Sequence, residues 1–368
     1  MDPRISELLE TGDVMEFRLS GVHMCFANAI RRLLLSEIPV ICIRSETEAV
    51  NQCRITKNTS RLHNEILKQR LSSIPVHSTN LEEFPGKYEL EVAATNDTDN
   101  MMFVTTELFR IKNKETGAYV SREKTAELFP SNDLTHDFIV FARLRPKYSD
   151  TIPGEEIALT ADFSVSNAKE NSMFNVVSKC SYANTMDAVK GEEAWELVKA
   201  KMEGESATPK EIEFQARNFK LLDAQRYFVA DSFDFIIQTV GVYENSQLVK
   251  LACSVLQKKV LDFMEGLEAD TVPIQPSDTT MENSIDVVLE GEDYTLGKML
   301  EYVMYERFYM GDKTLSYCAF KKFHPHNTES ILRFAFHEKT KRNERIKSML
   351  KATCMEIQEL FVSIYKMF

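Results

Sequence analysis

Two stretches of this chain, 270 residues apart, change their hydrophobic period at the same place, and this repeat limits what the chain can fold into. Residues 15–35 read MEFRLSGVHMCFANAIRRLLL and residues 285–305 read IDVVLEGEDYTLGKMLEYVMY. Met15, Phe17 and Leu19 alternate with Glu16, Arg18 and Ser20, the pattern of a half-buried strand. A glycine follows in both copies, Gly21 and Gly291. Phe26, Ile30 and Leu33 then fall on one stripe of a helix, and Leu296, Leu300 and Val303 do the same in the second copy. The repeated unit is strand, turn, helix.

A second pairing lies downstream. Residues 245–264 align with residues 343–362 at an offset of 98, setting Leu248 on Ile346, Ala252 on Leu350, Leu256 on Cys354 and Phe263 on Phe361. Both read as amphipathic helices. The two offsets, 270 and 98, differ by 172, so the first copy carries a domain-sized insertion that the second lacks. Inside it, residues 88–92, 138–141 and 157–163 read as strands. Leu62, Ile66 and residues 68–71 suggest a short helix, stopped by Ser72-Ser73-Ile74-Pro75. Residues 192–212, charged and holding the single tryptophan, Trp195, suggest an exposed helix and a loop. Residues 268–282, with two prolines, acids and hydroxyl side chains, read as a linker. At about 3.3 Å per residue it is long enough for one half to fold back on the other.

Composition narrows the function. The net charge is −12, which disfavours a protein that grips phosphate backbones over its whole surface. The seven cysteines are odd in number and dispersed, so neither a disulfide framework nor a zinc ribbon is expected; reduced, buried thiols are. No apolar run reaches bilayer length, and Met1-Asp2-Pro3-Arg4 lacks a secretory pattern, so an intracellular chain without membrane contact is expected. There is no G-x-x-x-x-G-K-S/T, H-E-x-x-H or G-x-S-x-G motif. Asp231-Ser232-Phe233-Asp234 could suggest paired metal-binding aspartates, but its alternation reads as the start of a strand. His324-Pro325-His326 lacks a third ligand and reads as a turn between strands. The basic run at residues 339–347 reads as a solvated face opening the last helix. Neither a catalytic group, a metal nor a cofactor is expected.

Phe26-Ala27-Asn28-Ala29-Ile30-Arg31-Arg32-Leu33-Leu34-Leu35-Ser36-Glu37-Ile38-Pro39 resembles the signature of the alpha-type subunits of cellular RNA polymerases. Arg70-Leu71-Ser72-Ser73-Ile74-Pro75-Val76 resembles the second block of that family, and residues 233–249 with Leu256-Gln257-Lys258-Lys259-Val260 resemble the end of the third-largest subunit of eukaryotic RNA polymerase II. Glu292-Asp293-Tyr294-Thr295-Leu296-Gly297-Lys298-Met299-Leu300 and His324-Pro325 are similar to the small eleventh subunit. Two departures stand out. Residues 76–88 hold no cysteine where the eukaryotic third subunit has a zinc-binding cluster. Tyr294 and Lys298 replace the usual His and Asn of the small subunit.

The resemblance implies an α+β fold of two alpha-like dimerisation halves forming an intramolecular pseudo-dimer. The first half would be interrupted by a mostly β inserted domain. The expected boundaries are 1–43 and 223–267 for the first half, 44–222 for the insertion, 268–282 for the linker and 283–368 for the second half. Phe26, Ile30, Leu33, Leu256, Phe263, Leu296, Leu300, Val303, Leu350 and Phe361 are expected at the pseudo-dimer interface. Asn28, Arg31 and Arg32 are expected to contact a large subunit, where the arginine fork suits carboxylate and backbone oxygens. The implied function is a non-catalytic assembly scaffold of a DNA-directed RNA polymerase. Its partners would be the two large catalytic subunits and small polymerase subunits, with DNA and RNA touched only through the complex. Fusion of the two subunits resembles the arrangement in some large cytoplasmic DNA viruses, which places the chain in host cytoplasm or virion, with the nucleus as the alternative. The rival readings are a stand-alone transcription-factor adaptor using the same fold and an independent nucleotide enzyme.

Overall fold

The computed structural model describes residues 1–149, 151–337 and 343–368. Along the chain, β1 (Arg4–Thr11) and β2 (Val14–Ser20) lead into α1 (Met24–Ser36). Next come β3 (Val40–Cys42), β4 (Cys53–Asn58), α2 (Asn64–Ser72), β5 (Tyr88–Thr95), β6 (Met102–Thr105), β7 (Arg110–Asn113), α3 (Arg122–Leu128), β8 (Val140–Leu144), β9 (Glu156–Asp162) and β10 (Ser164–Ser166). Then follow β11 (Val177–Met186), α4 (Ala188–Gly204), α5 (Pro209–Leu221), β12 (Phe228–Thr239) and α6 (Asn245–Glu268). The remainder holds β13 (Ile274–Pro276), β14 (Ser284–Glu290), α7 (Tyr294–Met304), β15 (Leu315–Lys321), β16 (Glu329–Phe336) and α8 (Asn343–Tyr365). The chain divides into two compact units: residues 1–34, 179–238 and 245–368, and residues 35–178 with 239–244.

The first unit contains two four-stranded sheets with the same plan. One has the order β1-β2-β12-β11 and the other β13-β14-β16-β15. In each, the strand before a short helix lies antiparallel to the strand before a long helix: β2 beside β12, and β14 beside β16. The spacing read from sequence recurs in the element starts. Val14 and Ser284 begin the paired strands, Met24 and Tyr294 the short helices, and Asn245 and Asn343 the long ones. Gly21 and Gly291 take φ +74° and +71° at the strand-to-helix turn, a conformation that glycine adopts without strain. A Cβ at position 21 would also lie 2.0 Å from the Asp2 carbonyl oxygen.

Three details of this unit differ from the sequence-based expectation. The insertion was expected to span 44–222, but the second compact unit covers 35–178, and β11 belongs to the first sheet. The strand is largely polar, VSKCSYANTM, and its burial does not alternate, so periodicity could not mark it. Where a helix and a loop were expected at residues 192–212, α4 and α5 form two consecutive helices. A capping box at Thr208 and Glu211 starts α5, with Pro209 in its first turn. Trp195 is buried against Phe219, with ring centroids 5.5 Å apart. The stretch expected as a linker contains β13, which pairs antiparallel with β14. Residues 339–342 of the basic run lie outside the described residues.

The second unit is mostly β, with sheets of order β4-β9-β5-β7, β6-β8 and β10-β3. The strands expected near residues 88–92, 138–141 and 157–163 correspond to β5, β8 and β9, and the short helix to α2. Leu67 and Leu71 of α2 join Leu90, Val92 and Phe141 in one core. Arg70 donates to the backbone oxygens of Val140 and Phe141 at 2.6 and 2.7 Å, tying α2 to β8.

Candidate assembly interface

The long helices α6 and α8 pack against each other, and α7 touches both. Their apolar stripes supply the contact. Leu248, Ala252, Leu256, Val260 and Phe263 of α6 are buried, as are Ile346, Leu350, Cys354, Ile357 and Phe361 of α8. Phe26 of α1 lies 6.0 Å from Phe361 and 5.9 Å, edge-on, from Tyr302. All ten residues expected at the interface are buried: Phe26, Ile30, Leu33, Leu256, Phe263, Leu296, Leu300, Val303, Leu350 and Phe361. Burying a large apolar side chain contributes about 1.5–3 kcal/mol wherever in the core it packs.

Polar contacts frame the apolar centre. The Arg32 guanidinium donates to the Asp293 carboxylate, and its Nε donates to Thr295 Oγ1 at 2.8 Å. Asp293 also caps α7, its Oδ1 accepting from the Thr295 backbone N–H at 2.8 Å. Burial opposes ionisation of Asp293, but the Thr295 hydrogen bonds and the Arg32 charge outweigh it and hold the carboxyl below its usual range. Just before α1, the His23 ring stacks on Tyr302, with centroids 3.9 Å apart and planes within 8°. In the repeat, position 23 corresponds to 293 and position 32 to 302. The pair 32–293 and the pair 302–23 are therefore one contact with the halves exchanged, the rule of a two-fold interface. The two versions use different chemistry, an ion pair in one and a ring stack in the other.

Asn28 and Arg31 lie half-buried on the same helix. Asn28 Oδ1 accepts from Arg31 Nε at 3.0 Å and from Nη2 at 2.8 Å, which fixes the guanidinium across one helical turn. Of the three residues expected to meet a large subunit, Asn28 and Arg31 thus hold each other, while Arg32 is engaged with the second half. Beside them, residues of α1, α7 and β15 line an open groove of about 750 Å³.

The family defined by the RNA polymerase Rpb3/Rpb11 dimerisation domain matches residues 16–260 of this chain. The chain belongs to that family. Among relatives, the bovine DNA-directed RNA polymerases I and III subunit RPAC1 is 29% identical over 300 residues, covering 69% of this chain and 82% of the relative. The DNA-directed RNA polymerase subunit Rpo3 of Pyrococcus horikoshii is 23% identical over 280 residues, covering 72% and 98%. The RNA polymerase II subunit RPB3 of Schizosaccharomyces pombe is 24% identical over 286 residues, covering 74% and 90%.

In this Rpb3/Rpb11-type chain the residues weighed for metal or catalytic chemistry have structural roles. Asp234 pairs across strands with Arg18 at 2.7 Å, and Ser232 meets Thr185 at 2.7 Å. The His324 ring accepts from the His326 backbone N–H within the turn between β15 and β16. Among the described residues, no three His, Cys, Asp or Glu side chains converge as metal ligands. No helix of the described residues is long and apolar enough to cross a membrane. Sequence reasoning missed His23, Asp293, Thr295 and Tyr302 as joint residues. The signal was available: these positions flank the apolar stripe, and in the repeat His23 maps onto Asp293 and Arg32 onto Tyr302.

Proposed function

We propose that this chain is a non-catalytic assembly subunit of a DNA-directed RNA polymerase, joining a third-subunit-like half to an eleventh-subunit-like half in one polypeptide. The carrying observation is the exchange relation between the Arg32–Asp293 and Tyr302–His23 contacts, set between two sheets of identical strand order. A fold built from two matched halves needs no partner copy to close this joint. The α1 surface around Asn28 and Arg31 remains half-exposed and offers a guanidinium held in place for contact with a large catalytic subunit.

Small polymerase subunits complete the assembly, and DNA and RNA are reached only through it. The fused arrangement favours a polymerase working in host cytoplasm or virion. The test is affinity purification of the tagged full-length chain from its native source, followed by mass spectrometry. The two largest polymerase subunits should co-purify at one copy each. Their absence, with the chain folded and intact, would overturn the reading and favour a free-standing adaptor.

A further inference from the structure

The groove beside α1 leaves one of its carboxylates outside the ion pairs around it. Three tyrosines face it from the second half, Tyr294, Tyr302 and Tyr305. Each is held by another ring: Tyr294 by Phe320 edge-on at 5.1 Å, Tyr302 by His23, and Tyr305 by Tyr309 in a stack at 4.8 Å. The rim is set by a widened π-helical turn, Tyr305–Gly311, that continues α7; such turns concentrate at functional positions. Both cations lining the groove are paired, Arg32 with a carboxylate beside the groove and Lys298 with one in its lining. Arg32 binds Asp293, and Lys298 lies 2.5 Å from Glu301. His23 is kept toward its neutral form by burial, against the opposing charge of Glu306. Glu306 is exposed, acts on His23 only through its charge, and takes part in no salt bridge among the described residues. The mouth is open and mixed, with Met24 57% and Tyr294 43% exposed beside the exposed Lys298 and Glu306.

Preset aromatic faces beside such a carboxylate fit one kind of side chain. A guanidinium lies flat on a tyrosine ring and donates two parallel hydrogen bonds to a carboxylate. A lysine ammonium is a more strongly hydrated point charge and uses such a surface less well. We propose that this groove receives an arginine side chain presented by a polymerase subunit docking beside the joint, stacked on the tyrosines and paired with Glu306. The identity of that partner rests on the assembly reading above; the chemistry of the groove does not.

Two arms separate the claims. In the first, the full-length chain carries ¹³C-methyl methionine, and the Met24 methyl signal is followed during titration with N-acetyl-arginine amide. A saturable shift is expected. The neutral isostere N-acetyl-citrulline amide should bind roughly tenfold more weakly, and Glu306→Gln should weaken the arginine probe by about the same factor. No shift, or equal binding of both probes, overturns the proposal. In the second arm, wild-type and Glu306→Gln chains are compared for capture of large polymerase subunits. Reduced capture by the folded variant supports the proposal. Equal capture overturns it while leaving the assembly reading intact. Arginine binding by a chain that captures no polymerase subunit overturns the partner and the assembly reading together, leaving only the groove's preference.

Discussion

Arg32 and Asp293 join the two halves through a side chain that is also the N-cap of α7, so one carboxylate serves both a helix start and the joint. Truncation at Arg32 therefore tests the joint without removing the cap. About a third of each side chain remains exposed, and solvent screens the pair, so Arg32→Ala should lower unfolding stability by about 1 kcal/mol near neutral pH.

The same pair gives a pH signature. The folded-state pKa of Asp293 lies below the usual 3.8, so its contribution is present above that value and is lost as pH falls through the lower, folded one. Wild-type stability should decline below about pH 4, and Arg32→Ala should decline less steeply there. Urea unfolding of both proteins between pH 7 and pH 3 measures this. Parallel curves would show that the arginine does not hold the carboxyl down.

How much of this was legible in the sequence follows from where the periodicity is strong. The strand-turn-helix starts at Val14 and Met24 recur at Ser284 and Tyr294 because buried faces alternate or stripe at fixed spacing, and a sequence records that directly. The joint residues Phe26, Leu256 and Phe361 were visible for the same reason. What escaped was polar. Strand β11 escaped because SKCSYANTM does not alternate, and β13 because Ile274-Gln275-Pro276, with a proline on either side of Ile274-Gln275, looks like a loop until it pairs with β14. The Arg32 contact escaped because the resemblance assigned that arginine to a large subunit. Its partner lies 261 residues away.

Gly297 tests the packing between α7 and β15. Alanine favours a helix over glycine by about 1 kcal/mol, and the corresponding residue of the first copy is the buried Ala27. At Gly297, however, an added Cβ would lie 2.1 Å from the Phe320 ring. Overpacking of that kind typically costs about 1–3 kcal/mol, so Gly297→Ala should destabilise. In a Phe320→Ala background, which removes the ring, the same change should be neutral or stabilising. A double-mutant cycle by urea unfolding measures the coupling. Stabilisation of the otherwise wild-type chain by Gly297→Ala would contradict the contact.

The seven free thiols should be silent in the folded chain. Burial pushes Cys25, Cys180, Cys253, Cys318 and Cys354 up to about 12, and Cys42 and Cys53 to about 11. Against a starting value of 9.0, the first five lose roughly a thousandfold of thiolate at a given pH. A chromogenic disulfide reagent at pH 8 should react with less than one thiol per chain within minutes, and with seven after urea unfolding. Treatment with a strong chelator should change neither the count nor the melting temperature. Rapid reaction of several thiols in the native chain, or a chelator-dependent melting temperature, would point to a metal or an opening motion at one of these sites.

The joint also predicts what happens when the chain is cut between its halves. Strand β13 follows α6 and pairs with β14, so a break between Thr279 and Thr280 leaves the strand attached to the first fragment and bound to the second. Lys351 bonds Glu268 at 2.7 Å and Lys347 bonds Asp270, adding contacts across the same end. The apolar stripes of α6 and α8 stay buried only while both fragments are present, because each covers the other. With a protease site inserted between Thr279 and Thr280, the cleaved protein should elute from gel filtration at the position of the intact chain. Residues 281–368 expressed alone would expose the α8 stripe and the open side of β14, and should self-associate or aggregate. Co-expression with residues 1–280 should restore a soluble one-to-one pair. The linker contributes an effective concentration on the order of millimolar, so the cut should make unfolding depend on protein concentration without dissociating the pair at micromolar levels. Separation of the fragments on cleavage, or a stable folded monomer of residues 281–368, would show that the helices are not what holds the halves together.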